Sequence, residues 1–152
     1  MTMMRVALLF IFSFAINFAF AQLEPVQWTF DVEKVNEKEY DIIFTAKIDK
    51  GWSVYSPHLE SDEGPIPTTF EFYNNDLKAV GKAREEGNRK EIFDEMFGMN
   101  LIKFSGKARF TQRVRVDTTN SNTVSGHLTY MTCDDESCLP PEDVNFEIDL
   151  LD

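Results

Sequence analysis

The sequence predicts an all-β fold, an immunoglobulin-like antiparallel β-sandwich. Apolar and polar residues alternate with a period of two along several runs, which places one face of each strand in a core and the other in water. Clusters of turn-forming residues separate these runs, and no stretch keeps a helical period over three turns. About seven or eight short strands in a domain of about 130 residues are typical of such a sandwich.

The predicted strands follow one another along the whole chain after the N-terminal segment. Their alternating apolar residues are Trp28, Phe30 and Val32; Tyr40, Ile42, Phe44, Ala46 and Ile48; Phe70 and Phe72; Ala108, Phe110, Val114 and Val116; Val124, Leu128 and Tyr130; and Val144, Phe146, Ile148 and Leu150. Residues 81–96 have a short helix-like charge pattern, but their glycines favour a long loop.

Residues 1–21 have the features of a secretory signal peptide. Arg5 makes the start positive, an apolar run follows, and Ala19 and Ala21 frame a cleavage position. The run is shorter than the roughly 20 apolar residues that a membrane-spanning helix needs, and Asn17 interrupts it. The sequence therefore predicts an exported protein, cleaved after Ala21, in which residues 22–152 form a single domain.

The charge of the chain excludes two classes of partner. Its formal net charge is −11 at pH 7, whereas binding to nucleic acids or anionic membranes needs clustered Lys and Arg. We therefore expect neither as a partner, and no feature demands more than a monomer. An exported location also makes disulfides chemically permissible.

The chain has two cysteines, Cys133 and Cys138, in the segment "MTCDDESCLPPED". A disulfide between them would close a short loop and would stabilise the fold by only about 2 kcal/mol through chain entropy. A structural staple and a redox role remain equal alternatives on this chemistry. The acids Asp134, Asp135 and Glu136 disfavour the thiolate form by repulsion. They therefore favour exchange with a docked partner over reaction with any oxidant.

Metal binding is a third interpretation of the cysteine pair. Two thiolates with a thioether or an imidazole suit Cu(I), whereas zinc would need a second Cys or His pair that the sequence lacks. The additional candidate ligands for Cu(I) are Met96, Met99, Met131 and His127. The redox role itself requires no metal and no organic cofactor.

Three segments together resemble one known family. They are the hairpin "YMTCDDESCLPPED", the upstream "FDEMFG" at residues 93–98 and "DKGWSVYS" at residues 49–56. Their order and rough spacing are similar to those in the N-terminal periplasmic domain of the thiol:disulfide interchange protein DsbD. The resemblance covers nearly all of the chain after residue 21. It implies a periplasmic domain that carries electrons between thiol–disulfide partners.

The resemblance also implies a role for particular residues. Cys138 would form the mixed disulfide with partners, and Cys133 would resolve it. A cap loop over the disulfide would consist of Asp94, Glu95, Met96, Phe97 and Gly98, and an aromatic wall beside it would consist of Trp52 and Tyr55. As an alternative to these roles, Phe97 and Trp52 could be ordinary core residues.

The sequence departs from the family in its cysteine spacing, its cap and its length. The best-known members have one more residue between the cysteines, and Met96 stands where an aromatic cap residue is expected. In the full-length family protein a membrane electron carrier and a thioredoxin-like domain follow, whereas this sequence stops at Asp152. We therefore expect thioredoxin-like exported partners and a separate membrane electron carrier as donor. The competing class is a binding module whose disulfide only holds the hairpin together.

Overall fold

The computed structural model describes residues 23–59, 63–116 and 122–150, and every regular element in these ranges is a β-strand. The strands are β1 (Val26–Lys34), β2 (Glu39–Ile48), β3 (Ser53–Tyr55), β4 (Thr69–Phe72), β5 (Leu77–Ala79), β6 (Arg84–Asp94), β7 (Met99–Val116), β8 (Thr123–Tyr130), β9 (Thr132–Cys133) and β10 (Glu142–Asp149). The predicted signal peptide and its cleavage after Ala21 lie outside the described residues. Among the described residues no helix is long and apolar enough to cross a membrane.

The strands form two antiparallel sheets, which confirms the predicted fold class. The larger sheet has the order β1-β2-β7-β3-β9, with β5 and β6 also paired to β7, and the smaller has the order β10-β8-β4. Strand β7 is 18 residues long and organises the larger sheet. Strands β2 and β3 pair along one edge of β7, and β5 and β6 pair along the other.

The core lies between the two sheets and follows the alternation of the sequence. Phe44 and Phe110 from the larger sheet and Leu128 and Phe146 from the smaller sheet are all buried in it. Phe70 stacks on Phe44 with a ring separation of 4.3 Å. Burial of apolar surface at about 25 cal/mol per Å² makes this cluster the main source of stability.

The prediction of a long loop over residues 81–96 is wrong, because β6 occupies Arg84–Asp94 and pairs with β7. Most side chains of β6 are exposed, so its sequence carries no apolar alternation. Its strand conformation comes from backbone hydrogen bonds to β7. Gly87 marks an irregularity in the register rather than a break, since the pairing shifts between Gly87 and Asn88.

Candidate functional site

The two cysteines form a disulfide at the tip of a short hairpin. Strand β9 pairs with β3, which places Cys133 opposite Ser53, and the chain then turns back so that Cys138 faces Cys133. The S–S distance is 2.02 Å and the two Cα atoms are 4.0 Å apart. The disulfide therefore joins positions of one hairpin and does not link the two sheets.

Asp134 shapes the turn between the cysteines. Its Oδ1 accepts hydrogen bonds from the backbone N–H of Glu136 at 2.8 Å and of Ser137 at 2.7 Å. An Asp side chain that bonds its own backbone two or three residues ahead is a common turn former. These bonds hold the pKa of Asp134 below its usual range. One of the three acids between the cysteines thus has a structural role.

A second turn, at residues 94–99, joins β6 to β7 and corresponds to the predicted cap loop. The Oδ1 of Asp94 accepts hydrogen bonds from the backbone N–H of Met96 at 3.0 Å and of Phe97 at 3.4 Å. The backbone N–H of Gly98 donates to the carbonyl of Asp94 at 2.8 Å, and Gly98 has a φ of 66°. A glycine takes this left-handed conformation without steric cost, which closes the turn.

Lys103 fixes the other oxygen of Asp94. The distance from Lys103 Nζ to Asp94 Oδ2 is 3.4 Å, and both side chains are largely buried, at 18% and 12% exposure. Lys103 lies on β7 opposite Tyr55 of β3. The ion pair therefore ties the cap turn to the sheet that carries Tyr55.

The cap turn packs against the disulfide. Met96 Sδ lies 3.6 Å from Cys138 Sγ, and because a disulfide sulfur carries no proton this is a van der Waals contact. The ring of Phe97 meets the ring of Tyr55 edge to face at 6.2 Å. The apolar cluster around the disulfide consists of Tyr55, Leu101 and Cys133, with Leu59, Phe97, Met99, Met131 and Cys138 packed against it.

The two sulfur atoms have different access to solvent. Cys133 is 4% exposed, whereas Cys138 is only partly buried and is covered by Met96, which is itself 47% exposed. Cys138 is therefore the more accessible of the two sulfurs, and Met96 lies over it.

Tyr55 forms part of the wall beside the disulfide. Its side chain is 1% exposed, and burial, together with the negative charge of Asp94, raises the pKa of the phenol. The phenol is therefore neutral at physiological pH. It packs against the cap and supplies no base.

The structure places the other predicted site residues in different surroundings. Trp52 packs against the main core between the sheets and not in the cluster around the disulfide. His127, a candidate copper ligand, lies on the smaller sheet, and its Nδ1 is hydrogen-bonded to the hydroxyl oxygen of Tyr73 at 2.8 Å. Within the described ranges, no three His, Cys, Asp or Glu side chains come together as a metal site.

Sequence reasoning missed three groups of residues at this site. Lys103 gave no signal, because nothing in the sequence indicates that it pairs with Asp94 across a hairpin. Leu59 and Leu101 join the cluster around the disulfide, and the alternation of neighbouring residues is too weak to predict this. Ile92 and Phe93 flank the cap turn and line a pocket of about 250 Å³ beside it.

Comparison with known proteins agrees with this geometry. A family model described as "Thiol:disulfide interchange protein DsbD, N-terminal" matches residues 20–150. No curated protein gives a significant match to the sequence.

Two solved structures are similar in fold. The N-terminal periplasmic domain of ScsB from Proteus mirabilis aligns with a TM-score of 0.61 and 15% identity, covering 84% of this chain. This chain spans 47% of the length of that ScsB chain. The N-terminal domain of DsbD from Neisseria meningitidis, in the reduced form, aligns with a TM-score of 0.51 and 18% identity over 80% of this chain and 84% of that one.

Proposed function

This chain belongs to the family of DsbD N-terminal domains, and on that premise we propose that it passes electrons between exported redox proteins through Cys133 and Cys138. The family supports thiol–disulfide interchange as the general activity. We propose the periplasm as its location, after removal of the signal peptide.

The observation that carries the proposal is the placement of the disulfide beneath the half-exposed side chain of Met96. Cys138 is partly buried with Met96 Sδ 3.6 Å from its Sγ, and Cys133 is buried behind it. A structural disulfide in a sandwich stabilises most when it joins distant segments, because it then closes a longer loop. This disulfide closes a loop within one hairpin, which supports a role in exchange.

The exchange begins at Cys138. The thiolate of a reduced donor attacks Cys138 Sγ, a bond forms between the two sulfurs, and the Cys133–Cys138 bond breaks with Cys133 leaving as a thiolate that takes up a proton. The second thiol of the donor then attacks the mixed disulfide on the donor's own sulfur. This step releases the Cys138 thiol and leaves the donor oxidised. The protein has then gained two electrons and two protons.

Transfer to an acceptor follows the same steps in reverse. The Cys138 thiolate attacks the disulfide of an oxidised acceptor, and Cys133 resolves the mixed disulfide by attacking Cys138 Sγ. The acceptor leaves as a dithiol and the Cys133–Cys138 bond forms again. Access, thiolate fraction and the pKa of the leaving thiol set the rates of such steps, and no metal or organic cofactor takes part.

The cap loop controls access in this scheme. Asp94 holds the turn through its bonds to Met96 and Phe97, and the edge-to-face contact of Phe97 with Tyr55 anchors it. Met96 then moves aside when a partner docks, while Phe97 and Tyr55 keep the wall behind the sulfurs. Glu95 lies at the exposed edge of the turn. Trp52 packs against the main core and is not part of this wall.

We propose thioredoxin-like exported proteins as partners and a membrane electron carrier as donor. Such partners present a reactive cysteine at their surface, which suits a disulfide at a hairpin tip. The domain acts in this scheme as a monomer.

Trapping of mixed disulfides tests the proposal. The Cys133→Ser protein keeps Cys138 and lacks the resolving thiol, so partners should accumulate on it as mixed disulfides that can be identified by mass. The Cys138→Ser protein is the matched control. Discrete thioredoxin-like proteins caught through Cys138 alone are the expected result. Capture by neither variant, with a loss of fold stability in both, would favour the binding module with a structural disulfide.

Cu(I) binding by the reduced pair is a second candidate function, and the contact of Met96 Sδ with Cys138 Sγ favours it. Two thiolates and a thioether are soft ligands of the kind that Cu(I) prefers. Stoichiometric Cu(I) in the reduced protein, lost in Cys133→Ser, would support this candidate. Absence of binding under the same reducing conditions would exclude it.

A further inference from the structure

We infer that the surface formed by Ile92, Phe93 and Met96 docks the segment of a partner that carries its exchange cysteine. That segment has an apolar side chain next to the cysteine and a Lys or Arg close by. The inference rests on the proposed function and adds the chemistry by which a partner is recognised. We call this surface the hairpin patch.

The hairpin patch exposes three large apolar side chains to solvent. Ile92 is 37% exposed, Phe93 62% and Met96 47%, and these are three of the seven exposed large hydrophobic side chains among the described residues. All three fall within five consecutive positions at the end of the β6–β7 hairpin. Clustered exposed apolar side chains mark interaction sites more often than scattered ones do.

The hairpin patch is continuous with the disulfide. Met96 contacts Cys138, and all three patch residues line one pocket with Tyr55 and Asp134. The volume of this pocket is about 250 Å³, which is below the roughly 300–1,000 Å³ of sites that enclose small-molecule ligands. It has room for one or two side chains of a partner that approaches the disulfide.

The charge at the edge of the pocket selects a cation. Four acids line it, and its one ammonium group, Lys103, is paired with Asp94. Asp134 is engaged by the backbone of its own turn. Glu95 and Asp135 are exposed and have no hydrogen-bond or ion-pair partner within the described ranges. A Lys or Arg beside the partner's cysteine would lie between these two carboxylates.

Docking places the attacking sulfur at Cys138. The apolar side chain of the partner covers Phe93 and displaces Met96. The thiolate of the partner's cysteine then attacks Cys138 Sγ, and Cys133 leaves as a thiolate that is then protonated. A second thiol attacks the mixed disulfide on the partner's sulfur, which releases Cys138 as a thiol and yields an oxidised partner. The hairpin patch thus acts on the approach of the thiol, while the sulfur chemistry is unchanged.

Three short peptide thiols test this inference on the oxidised protein. They are acetyl-Leu-Cys-Gly-Arg-amide, the same peptide with Glu in place of Arg, and the same peptide with Ser in place of Leu. The rate of disulfide reduction is measured for each and corrected for the thiolate fraction of the peptide. We expect the Leu–Arg peptide to react about fivefold faster than the Leu–Glu and Ser–Arg peptides, which is the effect of one apolar contact or one surface ion pair.

Substitutions assign each preference to its residue. Phe93→Ser should remove the preference for Leu over Ser, and Asp135→Asn should remove the preference for Arg over Glu. Val35→Ser removes an exposed apolar residue from the β1–β2 turn, and Glu147→Gln removes an acid from β10, so these variants should keep both preferences. Equal rates for the three peptides on the unsubstituted protein, or preferences that survive in Phe93→Ser and Asp135→Asn, would overturn the inference.

The reduction potential of the disulfide, measured on the same samples, separates this inference from the proposed function. If the disulfide has the reduction potential of an exchange protein but does not discriminate between the peptides, the hairpin patch has no docking role and the function stands. If the potential lies in the structural range, below about −300 mV, the proposed function and the inference fail together. The preference for Arg should also shrink with added salt, because exposed charges are screened.

Discussion

At the scale of single residues, the proposed function gives Met96 control over how readily a thiol reaches Cys138. Its side chain is half exposed and its sulfur contacts Cys138 Sγ at 3.6 Å. A methionine is flexible and lacks a rigid ring, so it yields to an incoming group at little cost. The family resemblance predicts an aromatic residue at this position. Methionine makes the cover over Cys138 more flexible than an aromatic ring would.

Shortening Met96 should therefore expose the disulfide. We expect Met96→Ala to raise the rate of reduction by dithiothreitol about three- to tenfold, because one side chain no longer covers Cys138, and Met96→Phe to lower it. Stopped-flow fluorescence or thiol-trapping mass spectrometry measures these rates. Leu23→Ala, which shortens a residue that is 61% exposed and precedes β1, is the control. Equal rates in Met96→Ala and Met96→Phe would show that Met96 does not shield the sulfur.

The sequence predicts only part of the site at this scale. The motif around Cys133 and Cys138 locates the disulfide, and "FDEMFG" locates the turn that packs against it, since both are local patterns. The Lys103–Asp94 ion pair depends on the register between β6 and β7, which no local pattern specifies. The position of Trp52 against the main core rather than beside the sulfurs likewise depends on how β3 enters the sheet.

At the scale of elements, the β6–β7 hairpin carries the cap, and the irregularity at Gly87 makes its pairing possible. Gly87 has a φ of 135°, and a Cβ at this position would collide with the carbonyl oxygen of Lys107 on the paired strand. The sequence around it reads as a loop because the exposed strand β6 has no apolar alternation. Pairing to β7, which is non-local, gives β6 its strand conformation.

Replacement of Gly87 should disturb this hairpin. We expect Gly87→Ala to lower the free energy of unfolding by more than about 2 kcal/mol, since both the backbone conformation and the close contact with β7 oppose a side chain. Gly81→Ala is the matched control, because Gly81 also has a positive φ, of 70°, but nothing lies within 4 Å of an added Cβ. Urea unfolding measures both variants. Equal losses in the two would mean that contact with β7 is not the cause.

At the scale of the whole molecule, ion pairs on the larger sheet make the stability of the fold depend on pH. Asp41 is buried on β2 and accepts hydrogen bonds from Arg113 at 2.8 Å and from Arg84 at 2.8 Å. The hydrogen bond from Arg113, followed by that from Arg84, holds the pKa of Asp41 below its usual range. The group thus joins three strands, β2, β6 and β7.

The stabilising effect of Asp41 should depend on pH in a definite direction. Its pKa is lower in the folded than in the unfolded protein, so its contribution is complete above the ordinary carboxyl pKa of about 3.9 and is lost as the pH falls through the folded pKa. We expect Asp41→Asn to lower the unfolding free energy by about 1–2 kcal/mol at pH 7 and by less at pH 3. Urea titrations at both pH values measure this. Asp31→Asn, which changes an exposed acid on β1, is the control, and an equal loss at both pH values for Asp41→Asn would contradict the account.

The fold class could be predicted from the sequence, because apolar and polar residues alternate along the core strands. The apolar residues of this pattern form the core. Phe44, Phe110 and Phe146 lie in the core between the sheets. The short strands β3, β5 and β9 and the exposed strand β6 could not be predicted, since their conformation depends on partners far away in the sequence. The disulfide lies where β3, β9 and the β6–β7 hairpin meet.

The reduction potential of the Cys133–Cys138 disulfide tests the central claim most directly. The protein is equilibrated with defined ratios of reduced and oxidised dithiothreitol and glutathione, and the two forms are quantified by mass after alkylation of free thiols. A disulfide that is exchanged with redox proteins should have a potential above about −300 mV, within the range of thiol–disulfide exchange proteins. A potential below about −300 mV would identify a structural disulfide and would contradict the proposed function.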